Sequence, residues 1–432
     1  MNAAMRMKEA IVRRRCWYSL LVRILVLNQY FRPDQAASAQ RITDLAEDLS
    51  AHHEVTVLAG RPSYSAAPEL SGPTDKRPST LRVHYVPSTT FVRYRTWKRV
   101  LNYVSYLTSS LIVGLMQPRH DVLVVASDPP LLSLIGLWLS RVHRAPFVHL
   151  MWDVQPEVAV SAGLLRYGWL SRMMSSLNRH AIRCADLVIV PTTAIGRTAV
   201  ELGVPADRVH TLSHWEDLDV VRVGEKDNPF SREHHLVDRF VVMYAGNLGL
   251  TQELDRYLDL AVRLRDLDDL VLVFVGDGAV KSALQARRAE LALTNVQLLP
   301  YAPRERMCDS LASADVFLAP VAAGLTRFML PSKIYTYMAA GRPIIAALDE
   351  SSDLCDLVRA HQCGFAVAPT DIDAIEAHVR WLHAHREPCR EMGERARRAS
   401  ETCYARSVVT PQFVELLRRY EPARDAAVQP TP

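Results

Sequence analysis

Hydrophobic positions along the chain fall into two alternating patterns, short apolar runs and amphipathic segments. The first run, residues 22–28 (VRILVLN), is continuous and predicts a β-strand. After a loop, apolar residues recur every three or four positions, as on one face of a helix, at Ile42, Leu45, Ala46 and Leu49. Because the strand-like runs do not alternate strictly, both faces of the sheet should be covered, which indicates a mostly parallel sheet.

The same order repeats along the chain. Further strands are predicted at 54–59, 81–86, 121–126, 146–152, 187–191 and 208–212. A polar stretch at 223–236 (VGEKDNPFSREHHL) then interrupts the alternation and is predicted to be a linker. Beyond it, strands are predicted at 240–245, 270–275, 296–299, 316–320 and 343–347, and helices at 252–265, 280–293, 304–312 and 332–340. Two such series predict an α/β protein with two doubly wound, Rossmann-like domains facing a central cleft.

The domain organisation predicted from these patterns has six segments. They are an N-terminal extension (1–22), a first Rossmann-like domain (23–222), the linker (223–236), a second Rossmann-like domain (237–404), a C-terminal helix packing back toward the first domain (405–422) and a disordered tail (423–432).

Composition narrows the class of protein. The chain has 432 residues, of which 49% are hydrophobic and 23% charged, which excludes disordered and collagen-like chains. Residues 1–215 carry 25 Lys and Arg against 15 Asp and Glu, a net +10, whereas the remainder is net −6. The basic half suits a phosphorylated or membrane-surface partner, or is an ordinary solvated surface. Neither half has the dense basic stripe of a nucleic-acid binder.

The seven cysteines show no Cys-x-x-Cys pair, which fits a reducing compartment.

Two segments bear on membranes. The N-terminal basic and apolar run lacks a small-residue cleavage site, so we expect no secretory signal and a cytoplasmic location. Residues 100–118 contain no charge but include several polar side chains. This pattern is typical of a buried or membrane-surface helix rather than a transmembrane one. For a membrane-surface helix, basic residues just before the run are predicted to attract anionic lipid, and aromatic residues to flank its apolar face; the alternative is a helix that simply packs on the sheet. The basic residues are Arg93, Arg95, Lys98 and Arg99, the apolar face includes Val104, Leu107, Leu111 and Leu115, and the flanking aromatic residues are Trp97, Tyr103 and Tyr106.

Ligands of open parallel sheets bind beyond the carboxyl ends of the strands, so the loops there are the candidate site. The strand at 240–245 runs into Ala245-Gly246-Asn247-Leu248-Gly249, and the next strand runs into the sequence VGDG at 275–278. Glycines of this kind permit close backbone approach, and a following helix start suits phosphate. A plain tight turn is an equally good interpretation of either loop.

A sharper signal is the sequence PSKIYTYMAAGRP at 331–343. Pro331 suits the first turn of a helix, where Ser332 and Lys333 then place a hydroxyl and a cation. The helix dipole disfavours a cation at this end, so Lys333 is predicted to pair with a bound anion. The alternative is an exposed lysine on a solvated turn.

Taken together, the sequences PSKIYTYMAAGRPIIA, AGNLG and FVGDG resemble the donor domain of glycosyltransferase family 4, which has the GT-B fold. The sequences LNQYFRPD, ASDPPLLSLIG and MWDVQPEVAV are similar to a subgroup of bacterial transferases of O-antigen, capsule and exopolysaccharide assembly, including the N-acetyl-L-fucosamine transferase type. The resemblance covers roughly residues 23–420.

The resemblance implies a nucleotide-sugar donor, UDP-linked by expectation, retention at the anomeric carbon and no metal or other cofactor. The implied acceptor is a polyprenyl-diphosphate-linked saccharide at the membrane face. Carried over to this chain, the donor diphosphate lies against the loop at 31–38, where Ala36 and Ala37 replace a frequent glycine pair, and against the second domain. The implied contacts in the second domain are Asn247, Gly249, Ser332 and Lys333 for the diphosphate, and Gly276, Leu299, Tyr301 and Thr336 for the nucleoside.

The chain departs from the family at two acidic positions. The family's two glutamates, eight residues apart, correspond here to Phe328 and Thr336. Ribose recognition is therefore expected to rest on Thr336 or on backbone. Lys333 takes a catalytic role in this interpretation, because it stabilises the charge that grows on the leaving phosphate.

The acceptor side is predicted beyond the strand at 146–152. Asp153 and Glu157 follow that strand, and Asp153 is a candidate catalytic residue that orients the acceptor hydroxyl. The alternative is that either carboxylate caps a helix. His149 lies within the apolar strand and is interpreted as a core histidine, and no histidine shows metal-ligand spacing.

Three functions remain open on the sequence alone. The first is a retaining sugar transferase. The second is a GT-B epimerase acting on the nucleotide sugar, for which the sequence shows no acid–base cluster. The third is a catalytically silent nucleotide-binding or scaffold protein, which the loss of both family glutamates would favour.

Overall fold

The computed structural model describes residues 21–34, 36–62, 78–91, 96–161, 163 and 165–420. Most of the predicted N-terminal extension and the whole predicted disordered tail lie outside these residues. The chain divides into two compact units. The first contains the described parts of 1–150, 176–189 and 410–432, and the second contains those of 151–175 and 190–409.

The first sheet is built from short apolar strands with the order β3-β2-β1-β4-β5-β6-β7, and the strands from β3 to β6 pair in parallel. Its strands are β1 (Arg23–Leu27), β2 (Glu54–Gly60), β3 (Leu81–Val86), β4 (Val122–Ala126), β5 (Phe147–Leu150), β6 (Leu187–Val190) and β7 (Val209–Thr211). Every residue of β4, β5 and β6 is buried, as expected for strands covered on both faces.

Helices connect these strands in the right order for a doubly wound fold. They are α1 (Ala37–Ser50), α2 (Thr96–Met116), α3 (Leu132–His143), α4 (Glu157–Ser161), α5 (Trp169–Arg183) and α6 (Thr193–Glu201). The predicted apolar face of α1 is buried, with Ile42, Leu45, Ala46 and Leu49 at 1% exposure or less. Among the described residues, no helix has the length and hydropathy to cross a membrane.

The second sheet has the order β10-β9-β8-β11-β12-β13, again with parallel pairs. Its strands are β8 (Phe240–Ala245), β9 (Leu270–Val275), β10 (Val296–Leu299), β11 (Val316–Pro320), β12 (Ile344–Ala347) and β13 (Gly364–Val367). The order reverses between β8 and β11, so the carboxyl ends of β8, β9 and β11 mark the expected ligand crevice.

Nine further α-helices are described from the linker onward. They are α7 (Pro229–Glu233), α8 (Arg256–Arg263), α9 (Lys281–Glu290), α10 (Met307–Ala312), α11 (Lys333–Ala339), α12 (Asp353–Ala360), α13 (Ile372–Ala384), α14 (Arg386–Ala399) and α15 (Arg406–Leu417). A π-helical turn at Ser400–Tyr404 separates α14 from α15. In α15, Thr410 donates its hydroxyl to Asp48 Oδ2 of α1 at 2.7 Å.

Two local features differ from the predictions. The helix predicted at 252–265 begins only at Arg256, after a 3₁₀ turn. Within the predicted linker, Asn228 caps α7 by accepting from the Ser231 N–H at 2.9 Å. Strand β13 was not predicted, although three of its residues are apolar, because only four residues form it. It begins at Gly364, where a Cβ would come within 1.9 Å of Ile344 O.

Candidate functional site

The loops after β8 and β9 form one continuous surface at the carboxyl edge of the second sheet. The N–H of Gly246 donates to Val275 O at 2.8 Å, and the N–H of Leu248 donates to Asp277 O at 2.9 Å. The N–H of Val280 returns the contact to Leu248 O at 3.1 Å. Because backbone bonds join the two loops, their predicted binding residues belong to a single rigid edge.

The glycines of these loops are required by close contacts. Gly246 has φ +148°, and a Cβ there would come within 1.8 Å of Lys333 Cε. Gly276 has φ +156°, and its Cβ would meet Gly246 O at 1.9 Å. Gly278 has φ +158°, and a Cβ on it would come within 2.3 Å of Leu248 O. The loops are therefore more than tight turns, since the space above Gly246 is filled by the lysine side chain.

Lys333 is the first residue of α11, one residue after the predicted start at 332, and its side chain lies back across Gly246. Its Nζ is 5.2 Å from the ring centroid of Tyr244, which is cation–π distance. The side chain is half-buried rather than solvated like a surface lysine. Because α11 has only seven residues, positive charge at this point comes mainly from Lys333 and not from a helix dipole.

A buried tyrosine fixes the position of α11. Tyr337 Oη donates to Ala245 O at 2.9 Å and accepts from the Ala245 N–H at 3.1 Å. Its ring stacks on Phe317 with the centroids 3.9 Å apart. Burial raises the pKa of Tyr337 well above its usual range, so the phenol stays neutral. This anchor sets the distance between Lys333, one turn earlier, and the end of β8.

The remaining residues predicted for the diphosphate are near the same edge. Asn247 is exposed at the loop tip, and its backbone O accepts from Tyr244 Oη at 2.7 Å. Gly249 is buried beside the Asn247 side chain, and a Cβ on it would come within 2.6 Å of Asn247 Nδ2. Ser332 is half-exposed immediately before α11.

The residues predicted for the base continue along the sheet edge. Leu299 is the last residue of β10, and its O accepts from the Gly276 N–H at 2.9 Å. Tyr301 is two residues further on, with 44% of its surface exposed. Gly276, Leu299 and Tyr301 are thus consecutive features of one edge, next to the loop at Gly246.

Asp153 lies beside the segment that leads into α11. It forms an antiparallel bridge with Met329, and the next N–H, of Val154, donates to Phe328 O at 2.7 Å. The structure therefore brings Asp153 next to one of the two positions where the family has glutamate. Glu157 is the first residue of α4, and its Oε1 accepts from Ser175 Oγ at 3.0 Å. The Glu157 carboxylate therefore already accepts a hydrogen bond that links α4 to α5.

Thr336 is hydrogen-bonded to an acidic side chain. Its Oγ1 donates to Glu216 Oε2 at 2.5 Å, a short bond of the charge-assisted kind. Sequence reasoning did not find Glu216, which is 120 residues away along the chain. No local motif marks this residue, so only the folded chain reveals the pair.

Ala36 and Ala37 belong to the first unit, whereas the other predicted site residues belong to the second. Ala36 precedes α1 with extended backbone, and Ala37 is its first residue. Among the described residues, no side chain caps this helix start, so its backbone N–H groups are the polar groups that it presents.

The histidine interpretation is also clear. His149 is buried within β5, and burial lowers its pKa to about 4, so it is a neutral core residue. Within the described ranges, no group of three or more His, Cys, Asp or Glu side chains could hold a metal ion.

Two family models match the chain, and between them they cover most of it. Residues 37–215 match the glycosyl transferase 4-like domain, and residues 226–399 match the glycosyl transferases group 1 domain. The chain carries a match to each of these glycosyltransferase domains, and the protein is a glycosyltransferase. The N-acetyl-L-fucosamine subtype is not part of what these matches establish.

Curated relatives agree with this assignment. The chain is 24% identical over 404 residues to WcaI of Escherichia coli K12, whose name assigns it to colanic acid biosynthesis, covering 87% of this chain and 96% of the relative. It is 27% identical over 383 residues to a GDP-mannose-dependent alpha-mannosyltransferase of Mycolicibacterium smegmatis, covering 88% and 92%.

Among solved structures, Anabaena HepE in complex with UDP-glucose superposes with a TM-score of 0.68. The identity is 16%, and the match covers 92% of this chain and 99% of HepE. The predicted fold class, two Rossmann-like α/β domains of the GT-B type, is confirmed.

Proposed function

We propose that this glycosyltransferase moves a sugar, with retention of configuration, from a UDP-sugar to a lipid-linked saccharide in bacterial surface polysaccharide synthesis. The observation that carries the proposal is the Lys333 side chain lying across Gly246 at the joined ends of β8 and β9. A fixed cation beside glycine backbone suits a diphosphate, whose negative charge grows as the bond to the sugar breaks. We assign the stabilisation of that charge to Lys333.

The choice of donor rests on the likeness to HepE, whose structure holds UDP-glucose, and on the resemblance to O-antigen and exopolysaccharide transferases. A curated relative that is 27% identical to this chain is named for GDP-mannose, so UDP and GDP are the two nucleotides to compare. Among UDP-sugars, UDP-N-acetyl-L-fucosamine is the first to try.

Thermal unfolding with a panel of UDP- and GDP-sugars tests the donor. A donor at 100 times its Kd should stabilise the fold by ~2.7 kcal/mol. The shift should be lost in Lys333→Ala, whose own fold should survive. If no nucleotide sugar shifts the transition, the donor proposal is wrong. Tight binding without any transfer to an acceptor would instead favour the silent, scaffold function.

On the acceptor side, we assign Asp153 to orienting the acceptor hydroxyl. Its bridge to Met329 holds it beside the segment that carries Lys333. A retaining front-face reaction needs little help from a base, so Asp153→Asn should reduce turnover without abolishing it. NMR of the product should show the anomeric configuration of the donor. An inverted product would exclude the retaining mechanism.

We also propose that transfer needs no metal ion. The Lys333 cation lies where an anionic leaving group is expected, which gives the diphosphate a countercharge from the protein. Activity should therefore persist in excess chelator. Loss on chelation that a divalent ion restores would contradict this.

The surface of helix α2 supports a location at the inner face of the cytoplasmic membrane. Its exposed apolar residues lie on one side, in two groups with the exposed Thr108 between them: Trp97, Val100, Leu101 and Val104, then Ile112, Leu115 and Met116. Its buried side carries small or polar residues instead, at Asn102, Tyr106, Ser110 and Gly114. An apolar face turned outward is the reverse of an ordinary surface helix.

The buried side of α2 explains this reversal. Tyr106 Oη donates to Leu58 O of β2 at 2.9 Å, and a Cβ on Gly114 would come within 2.6 Å of the Leu139 side chain. The prediction that Tyr106 flanks a membrane face was wrong, because its ring is fully buried. Helix α2 therefore packs on the first unit through one side and presents an apolar stripe on the other.

We propose that this stripe rests on an anionic bilayer. Lys98 and Arg99 adjoin it, within a half of the chain that is net positive, and basic residues near anionic lipid contribute ~1 kcal/mol each. Arg93 and Arg95, also predicted to contribute, lie outside the described residues. In this proposal the bilayer holds the polyprenyl-diphosphate-linked acceptor.

Flotation with anionic liposomes tests the proposal. The protein should float at low salt, and less as salt rises and screens the charges. The pair Val104→Ser and Ile112→Ser should reduce flotation at every salt concentration, whereas Lys98→Gln with Arg99→Gln should remove mainly its salt dependence. An exposed apolar residue elsewhere, Val200→Ser on α6, is the matched control. If the wild type fails to float at low salt, the membrane proposal is wrong and the transferase proposal is unaffected.

A further inference from the structure

One face of α11 carries its half-exposed residues. Ser332, just before the helix, Lys333 and Thr336 are half-exposed, whereas Ile334 and Tyr335 are buried. Residues three apart on a helix are neighbours, with Cβ atoms ~5–6 Å apart. Thr336 therefore lies one turn beyond Lys333 on the same face.

Glu216 is held over this face from a distant part of the second unit. Its N–H donates to Tyr404 O at 2.9 Å, and its O accepts from the Arg406 N–H at 2.9 Å. These two bonds fix the backbone of Glu216 from both sides, and its side chain is half-exposed. The carboxylate that contacts Thr336 is therefore carried by a segment whose backbone is held in place on both sides.

The chemistry of this pair suits a sugar diol. A carboxylate has two oxygens with about four acceptor sites, so it can accept from Thr336 and from ribose hydroxyls together. When the phosphates of a nucleotide contact Lys333, the ribose is the next group along the ligand. Its 2′ and 3′ hydroxyls are neutral donors, for which an ionised acceptor is a stronger partner than a threonine hydroxyl.

We infer that Glu216 is the ribose-binding residue of this glycosyltransferase and that Thr336 positions its carboxylate. The inference rests on the proposed function, since it takes the donor phosphates to lie at Lys333. It alters the expectation from the sequence, in which Thr336 alone, or backbone, contacts the ribose. The acidic group is supplied by the segment before the linker, and the helix supplies a hydroxyl that orients it.

Calorimetric binding of UDP and GDP, each compared with its 2′-deoxy form, tests the inference. For the nucleotide that binds, Glu216→Gln should raise the Kd by about 10-fold or more, since it removes a hydrogen bond to a charged group. The 2′-deoxy nucleotide should bind the wild type more weakly, and Glu216→Gln should cost it clearly less. Asp219→Asn is the matched control, because it removes an exposed carboxylate three residues away and should leave both Kd values unchanged.

A positioning role for Thr336 has its own signature. Thr336→Val keeps the carboxylate but loses its orienting bond, so the Kd should rise less than in Glu216→Gln. The double variant Glu216→Ala with Thr336→Glu puts the carboxylate on the helix and should recover most of the affinity. Thermal unfolding of each variant separates these effects from a loss of fold. An unchanged kcat with a raised KM is expected for a contact made equally in the ground and transition states.

The outcomes distinguish the two levels of the argument. If Lys333→Ala weakens nucleotide binding but Glu216→Gln leaves it unchanged in a folded protein, the inference is overturned and the proposed function stands. The same holds if Glu216→Gln weakens the ribose and 2′-deoxy forms equally. If the wild type binds neither UDP nor GDP, the proposed function fails, and the inference fails with it.

Discussion

The loops that follow β1 and β8, the first strand of each sheet along the chain, are held in place by different kinds of contact. The loop after β8 is closed by backbone contacts, and it depends on Gly246, Gly276 and Gly278 because a Cβ at any of them would overlap a neighbour. The loop after β1 has backbone bonds, such as that from the Gly60 N–H to Gln29 O at 2.9 Å, and is held by side chains as well. Asn28 Nδ2 donates to Tyr30 O at 2.6 Å, and Thr43 Oγ1 accepts from the Arg32 N–H at 3.1 Å.

This difference indicates where substitution is tolerated. A loop closed by backbone admits no side chain at its contact points, so a single methyl group should disable it. A loop held by side chains loses only one hydrogen bond per substitution. The absence of a glycine pair at Ala36 and Ala37 is consistent with the second kind of loop.

Both units bury histidines beside their apolar side chains. In the first, burial lowers the pKa of both His120 and His149 to about 4. In the second, His214 is buried, and burial lowers the pKa of His378. Burial of neutral imidazoles makes a fold sensitive to acid.

The largest expected effect is at the cation of the second loop. Lys333→Ala should lower kcat/KM by ~100-fold or more, because it removes a contact to charge that develops in the transition state. The protein should unfold at nearly the wild-type temperature. The matched control is Lys281→Ala, whose ammonium lies 4.0 Å from Asp277. Near-normal turnover of Lys333→Ala, or an equal loss in Lys281→Ala, would contradict the assignment.

Gly246→Ala tests whether the second loop tolerates a methyl group. The new Cβ would displace Lys333 Cε, so kcat/KM should fall by about 10-fold or more through a misplaced contact. Gly324→Ala is the control, since Gly324 also has positive φ, +79°, but no atom lies within 4 Å of its Cβ position. Steady-state kinetics of both variants decide the point. Equal effects would show that backbone strain, rather than the lysine contact, explains the loss.

Acid should destabilise the protein through His149. Its pKa is about 4 when folded and ~6.5 in an unfolded chain, so the unfolded state binds more protons between these values. Stability is therefore complete above about pH 6.5 and is lost as the pH falls toward 4. His149→Gln should flatten this dependence in thermal unfolding, with ~5 °C less loss from pH 7 to 4.5. Exposed His52→Gln should follow the wild type, and a wild-type slope in His149→Gln would contradict the prediction.

The smallest effect is expected in the loop after β1. Thr43→Val removes the hydroxyl that accepts from the Arg32 N–H, which should cost ~1 kcal/mol and about 3 °C in unfolding temperature. We expect kcat/KM to change by less than about threefold, since one lost tie of this size leaves the loop assembled. Thr108→Val, on the exposed side of α2, is the matched control. A loss of activity as large as that in Gly246→Ala would remove the distinction between the two loops.

Much of the fold was predictable because it depends on local pattern. The apolar runs at 240–245, 270–275 and 296–299 match β8, β9 and β10 residue for residue. The helix predicted at 332–340 is α11, which begins one residue later, at Lys333. Elements were missed where a run was very short, as at β13, or where a 3₁₀ turn preceded a helix, as before α8.

The sequence by itself determined the fold class, the family and the loops at the strand ends, because apolar periodicity and glycine positions act over a few residues. Only the tertiary structure decided which groups meet. Lys333 crosses Gly246 although the two are 87 positions apart along the chain, and Glu216 contacts Thr336 although they are 120 positions apart. It also turned the apolar face of α2 outward, because the buried positions are filled by Asn102, Tyr106 and Gly114. Contacts between distant segments depend on how whole layers pack, which no local pattern of residues encodes.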